Sequence, residues 1–159
     1  MTPRRLPPRP ATAGTARAGA TAVVVAGLLV GCAADGPIPG ATDARDTWAQ
    51  HGPTSYAYTL TAGCGERALT GTYRVTVTDG EVSAVEPLDE TAEWSLPAAA
   101  EHVPTVSELL DRIVALPAQQ VPDVAFAEDG VPTVVFLDND PTAIDDEECY
   151  EISDVRPAG

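Results

Sequence analysis

The dipeptide Asp79-Gly80 joins two stretches that alternate apolar and polar residues, and it limits the fold more than any other feature of this 159-residue chain. In residues 72–78, Tyr73, Val75 and Val77 alternate with Thr72, Arg74, Thr76 and Thr78, the period of a half-buried strand. A two-residue type I′ turn needs φ > 0 at both central positions, and Asp-Gly tolerates that. The return strand over residues 81–86 is then expected to set Val82 opposite Val77 and Ala84 opposite Val75. So firm a hairpin makes an antiparallel sheet the framework for everything else.

Other segments add to it. Residues 55–62 alternate Tyr56, Tyr58 and Leu60 with Ala57, Thr59 and Thr61, a further strand. A second hairpin is expected over residues 123–138, with Val124 and Phe126 before the turn Glu128-Asp129-Gly130. After it either Val134 and Phe136 or Val135 and Leu137 face the core, and the near-continuous apolar run suggests a central strand covered on both faces. The last strand carries Tyr150 and Ile152 on one face, with residues 156–159 as a tail. A short helix is expected at residues 42–51, capped by Thr42 or Asp43, with Trp48 as a core anchor and Gly52-Pro53 as its stop. Thr105-Val106-Ser107-Glu108 is a capping-box pattern. Val106, Leu109, Leu110, Ile113 and Val114 then recur at helical spacing up to Pro117. Residues 87–104, bounded by Pro87, Pro97 and Pro104, read as a loop with a helical turn near Trp94. The expected fold is α+β: an antiparallel sheet of about five or six strands, including two hairpins, with one main helix on a face and a short N-terminal helix.

Charge divides the chain at Leu29-Val30-Gly31-Cys32. Four of the nine arginines precede Cys32 and every one of the 24 acidic residues follows it. The remainder thus carries five positive against 24 negative charges, a net of −19, and there is no lysine. Residues 18–31 form an apolar run of 14 behind that basic start, short of the roughly 20 that span a bilayer. This is the pattern of a secretory signal, and its end resembles a bacterial lipobox. Residues 1–31 are therefore expected to be a lipoprotein signal peptide and Cys32 the lipidated first mature residue. Residues 32–40 form a flexible tether, reaching at most about 28 Å beyond Cys32, and residues 41–159 a single domain. The expected place is the extracytoplasmic face of the bacterial cell membrane. Arg4-Arg5 fits an ordinary basic start better than a twin-Arg signal. A domain this acidic is not expected to bind nucleic acid.

With Cys32 committed to lipid, Cys64 and Cys149 remain, an even pair in an exported chain, and a disulfide is expected. Two free thiols or a metal pair are the alternatives. The bridge closes a loop of 85 residues, which chain entropy values at about 4 kcal/mol as an upper figure. The most acidic stretch holds Asp138, Asp140, Asp145, Asp146 and Glu147, candidate oxygen ligands for calcium. The spacing does not match an EF-hand, since Pro141 sits where a ligand belongs and the required Gly is missing. The plainer reading is a solvated loop in which Asp145-Asp146-Glu147 caps backbone N–H groups before the last strand.

Trp48, the run 55–60, Cys64-Gly65-Glu66-Arg67, Asp79-Gly80, Pro104-Thr105, Asp129-Gly130-Val131-Pro132, the run 143–147 and Cys149-Tyr150-Glu151-Ile152 occur in an order that resembles the small bacterial lipoproteins grouped as domain of unknown function 6174, over roughly residues 42–155. Many members carry two cysteines one residue apart after the first strand. Only Cys64 is present here, which makes Cys149 its natural partner. The resemblance implies an envelope location and supplies no catalytic residues. His51 and His102 have no nucleophile motif beside them, and no catalytic residue is assigned. The function expected is a non-enzymatic, membrane-tethered module, monomeric and without cofactor, that binds or scaffolds an unknown envelope component. A calcium-binding domain is the alternative, and an envelope hydrolase with paired carboxylates a more distant one.

Overall fold

The computed structural model describes residues 37–121, 123–140 and 142–158. The expected signal peptide 1–31, the lipidation site Cys32 and the start of the tether lie outside the described residues, as does Pro141. Nine elements follow one another: α1 (Ala41–His51), β1 (Tyr56–Gly63), β2 (Gly71–Thr78), β3 (Glu81–Pro87), α2 (Glu90–Ala99), α3 (Val106–Ala115), β4 (Asp123–Phe126), β5 (Pro132–Asp138) and β6 (Glu147–Pro157). Short 3₁₀ turns cover Ala100–His102 and Ala118–Gln120.

The strands form one six-stranded sheet in the order β3-β2-β1-β6-β5-β4, with every neighbouring pair antiparallel. Two three-stranded meanders, β1-β2-β3 and β4-β5-β6, thus meet along the central pair β1 and β6. The helices cover one face. Tyr58, Leu60, Tyr73, Val75, Val77, Val135 and Leu137 from the sheet are fully buried in one core with Val106, Leu109, Leu110 and Ile113 from α3. The opposite face presents Thr59, Thr61, Thr76 and Glu151, which are exposed or half-buried. The architecture is α+β, with three helices on an antiparallel sheet.

Asp79 and Gly80 have φ of 52° and 87°, as a type I′ turn requires. Val82 pairs with Val77, but Ala84 pairs with Thr76 and Val85, not Ala84, with Val75. Ser83 is the extra residue of a bulge, and its hydroxyl donates to the Thr76 carbonyl at 3.2 Å. Val82 and Val85 are an odd number apart and could not share a face in a regular strand. The bulge lets both pack against the core. In the second hairpin Val135 and Leu137 are the core pair, while Val134 is 38 % exposed, so β5 is covered on one face, not two. β6 runs through to Pro157, which pairs with Tyr56, so the expected tail is largely strand.

The capping box on α3 is complete. Glu108 N–H donates to Thr105 Oγ1 at 3.1 Å, and Thr105 N–H donates to Glu108 Oε2 at 2.8 Å. The start of this helix is pinned to the sheet: Val106 N–H donates to the Tyr56 hydroxyl at 3.0 Å, and the Tyr58 hydroxyl donates to the Pro104 carbonyl. Trp48 on α1 is buried, edge-on to Tyr56 at 5.3 Å, and donates from Nε1 to Ser107 Oγ at 3.1 Å. Neither Thr42 nor Asp43 caps α1; its N-cap is Gly40, with no side-chain cap bond. The expected loop of residues 87–104 holds a full helix, α2. Asp89 caps it by accepting from Ala92 N–H at 2.8 Å, and Pro97 is tolerated within it. Ala92 and Ala99 are its buried contacts, too small to leave a hydrophobic period in the sequence. No helix among the described residues is long and apolar enough to cross a membrane.

Candidate functional site

A cleft of about 300 Å³ opens where the β1–β2 connection, the start of β6 and the last turn of α3 come together. It is lined by Arg67, Ala68 and Leu69 with Glu66, and by His102, Arg112, Glu148 and Tyr150. The sequence dictates its walls. The alternation of β6 that buries Tyr150 on the core face sets Glu148, two residues earlier, on the same side. Arg112 is one turn beyond Glu108 on α3 and reaches it from above. Arg67 is brought in by a backbone docking. Gly65 has φ of 65°, and a Cβ there would lie 2.3 Å from the Glu147 carbonyl oxygen. Glu66 N–H donates to the Asp145 carbonyl at 2.9 Å.

The disulfide locks this junction. Cys64 and Cys149 are bonded, with Cα atoms 5.6 Å apart across 85 residues of sequence. Cys149 lies between the cleft residues Glu148 and Tyr150, and Cys64 three residues before Arg67. The expected pairing is the observed one.

Glu148 is the hub. Arg112 grips its carboxylate with both terminal nitrogens, Nη1 to Oε2 at 2.6 Å and Nη2 to Oε1 at 2.8 Å. Asn139 Nδ2 donates to Oε1 at 3.0 Å and the Tyr150 hydroxyl to Oε2, while Arg67 Nη2 stands 3.7 Å from Oε1. Burial pushes the Glu148 carboxyl up. The hydrogen bonds from Arg112 and Tyr150 and the charge of Arg112 outweigh it and hold the group at about 2. Burial, then the hydrogen bond to Glu148, pushes the Tyr150 phenol above its ordinary value. The Glu148 hydrogen bond is also the main reason the Arg112 guanidinium titrates above its ordinary value. Asn139 completes the frame by accepting from Arg112 Nη2 at 2.6 Å through its side chain and from Gln120 Nε2 at 2.6 Å through its carbonyl.

Arg67 is less well matched. Its Nη2 donates to the Asp146 carbonyl, yet its Nε is buried without a hydrogen-bond partner among the described residues. His102, on the 3₁₀ turn after α2, is exposed at the rim. Among the described residues no Ser, Thr, Cys or Lys lines the cleft.

The acidic stretch is arranged differently from a ligand set. Asp138 and Glu147 are register partners at the ends of β5 and β6. Desolvation, then the charges of Asp146, Glu147 and Asp140, push the Asp138 carboxyl up. Asp140 accepts from the Thr142 hydroxyl at 2.7 Å and the Thr142 N–H at 2.9 Å, which lowers its carboxyl. Asp145 is exposed with φ of 65°, and Asp146 Oδ1 is buried without a hydrogen-bond partner among the described residues. Among the described residues no three His, Cys, Asp or Glu side chains are grouped to hold a metal ion. The carbonyls of Asp145 and Asp146, not the carboxylates of residues 145–147, accept the bonds that order the entry to β6.

Sequence pattern alone assigns Arg67, Arg112, Glu148 and Tyr150 to no site. The available signal was scarcity: two of only five arginines after Cys32 meet at one carboxylate. The family model DUF6174, described as a family of unknown function, matches residues 41–157. No curated protein and no solved structure matches the chain.

Proposed function

The chain belongs to the DUF6174 family, and from that premise we propose that it is a lipid-anchored, extracytoplasmic module of the bacterial envelope that binds or scaffolds another component and is not an enzyme. The anchoring rests on the leader: a basic start, a short apolar run and a Cys after Leu29-Val30-Gly31. The binding role rests on the chemistry of the cleft. Its half-buried carboxylate, Glu148, is held at about 2, so it cannot deliver a proton near neutrality. The phenol beside it is pushed up, so it is a poor base there. Among the described residues no Ser, Thr or Cys side chain lines the walls, and the Tyr150 hydroxyl is engaged with Glu148. Such a cleft recognises by fixed charges and shape, and the disulfide beneath it supports a preformed geometry.

Cell fractionation tests the anchoring. The wild-type protein is expected in the membrane fraction, with its N-terminal peptide carrying diacylglyceryl mass on Cys32. The Cys32→Ala protein is expected in the soluble or secreted fraction. Retention of that variant at the membrane, or an unmodified Cys32 in mature protein, overturns the anchored reading.

A further inference from the structure

We propose that the cleft binds a carboxylate on Arg67, with the Arg112–Glu148 pair as the rigid wall that positions it. The inference deepens the binding role above and rests on it, by naming the ligand chemistry.

Arg112 is committed: both terminal nitrogens bond Glu148, at 2.6 and 2.8 Å, and Nη2 also bonds Asn139 at 2.6 Å. Arg67 is not. Its one carboxylate neighbour stands at 3.7 Å, its hydrogen bond goes to a neutral carbonyl, and its Nε is buried with no partner among the described residues. The Arg67 side chain is 34 % exposed at the cleft wall, so an oxygen acceptor supplied from outside can reach its terminal nitrogens, which no carboxylate among the described residues pairs at hydrogen-bond distance. A guanidinium and a carboxylate match in plane and spacing.

The charge lining the cleft selects among anions. Arg67 and Arg112 are balanced by Glu148 and the exposed Glu66. The lining carries no surplus positive charge, so a singly charged carboxylate is opposed less than a phosphate dianion. The net charge of −19 after Cys32 adds to the penalty on a multiply charged anion. Leu69, which is buried, and Ala68 give the cleft an apolar side, and its volume of about 300 Å³ suits a small organic acid or the last residue of a peptide.

The test is a titration of the isotope-labelled full chain in detergent micelles, followed on the arginine Nε–H resonances. Sodium acetate stands for a free small acid and N-acetyl-alanyl-alanine for a peptide C-terminus. The C-terminal amide of that dipeptide and inorganic phosphate are the controls. The Arg67 resonance is expected to shift saturably with a carboxylate, well beyond Arg45, Arg74 and Arg156, which do not line this cleft. The amide is expected to bind about tenfold more weakly or not at all. Tighter binding of the dipeptide acid than of acetate assigns a peptide terminus, and equal binding assigns a free acid; both support the proposal. Arg67→Gln is expected to abolish saturation, and Arg67→Lys, which keeps the charge and loses the planar fork, to weaken it about tenfold. An Arg67 resonance that moves no more than the three reference arginines, an amide as good as the acid, or a stronger response to phosphate overturns the proposal. Each of these leaves the anchoring, tested by fractionation, untouched.

Discussion

Replacing Glu148 by glutamine removes the one charge around which the cleft is built, and its effect has a pH signature that can be worked out beforehand. The wild-type side chain is 12 % exposed and takes hydrogen bonds from Arg112, Asn139 and Tyr150. Its carboxyl titrates at about 2 in the fold against an ordinary 4.5. At about 1.4 kcal/mol per unit that gap corresponds to roughly 3 kcal/mol. Arg112 and Arg67 are each about a third exposed, so solvent screening reduces the usable part to about 2 kcal/mol. The sign follows from the depressed value. The contribution is complete above 4.5 and fades as the pH falls from there through about 2. The glutamine side chain has nothing to titrate, and all other carboxylates are shared by the two proteins and cancel in the difference. Urea unfolding of wild type and Glu148→Gln is therefore expected to show a stability gap of about 2 kcal/mol from about pH 7 to about pH 5, shrinking below about 1 kcal/mol by about pH 2.5. In thermal melts near neutral pH the same gap is about 8 °C for a domain of this size. A gap that is constant with pH, or one that widens towards acid, would refute the reasoning, because it would mean that the charge of Glu148 is not what the arginines stabilise.

Removing the disulfide by Cys64→Ser with Cys149→Ser is expected to lower stability by up to about 4 kcal/mol in urea titrations of the oxidised wild type against the variant, and coincident curves would refute a constraining bridge. Gly65→Ala puts a Cβ against the Glu147 carbonyl at a left-handed φ. It is expected to cost about 1–3 kcal/mol and to raise amide exchange at Glu66 and Arg67, with unchanged exchange as the contrary result. Thr105→Ala breaks the capping box of α3 and is expected to cost about 1 kcal/mol in chemical denaturation, whereas Thr105→Ser retains most of it. Millimolar calcium is expected to leave the melting temperature unchanged, because among the described residues no three acidic side chains of the stretch 138–147 are grouped to hold a metal ion; a saturable rise would support the cation-binding alternative.

Where local chemistry decides structure, the sequence was readable. The turn at Asp79-Gly80, the capping box at Thr105 and the alternation in β1 and β2 each follow from groups a few residues apart. The pairing of Cys64 with Cys149 was legible too, but by parity of thiols and not by any local pattern. What stayed hidden depends on tertiary context. The bulge at Ser83 exists so that Val82 and Val85 can share one face, which a strict period of two cannot anticipate. α2 is held by small alanines and a single Asp89 cap, and Pro97 inside it reads as a breaker. The cleft is the extreme case: Arg67, Arg112 and Glu148 come from a loop, a helix end and a strand start, and only the pairing of β1 with β6 and of β5 with β6 brings them together.

That same pairing governs when the domain can exist at all. Among the described strands β6 is the last in sequence, and it lies at the centre of the sheet, between β1 and β5. A chain delivered N-terminus first, from a ribosome or through a narrow channel, presents β1-β2-β3 as a meander with one long edge unpaired and its core face incompletely covered. Sheet closure, the disulfide and the Glu148 hub all wait for residues 147–157, so they arrive together in one late step. Contacts this distant in sequence slow folding and leave the open edge of β1 as the period of greatest exposure to wrong partners. The order of strands thus leaves the sheet open along β1 until the eleven-residue strand β6 has joined it.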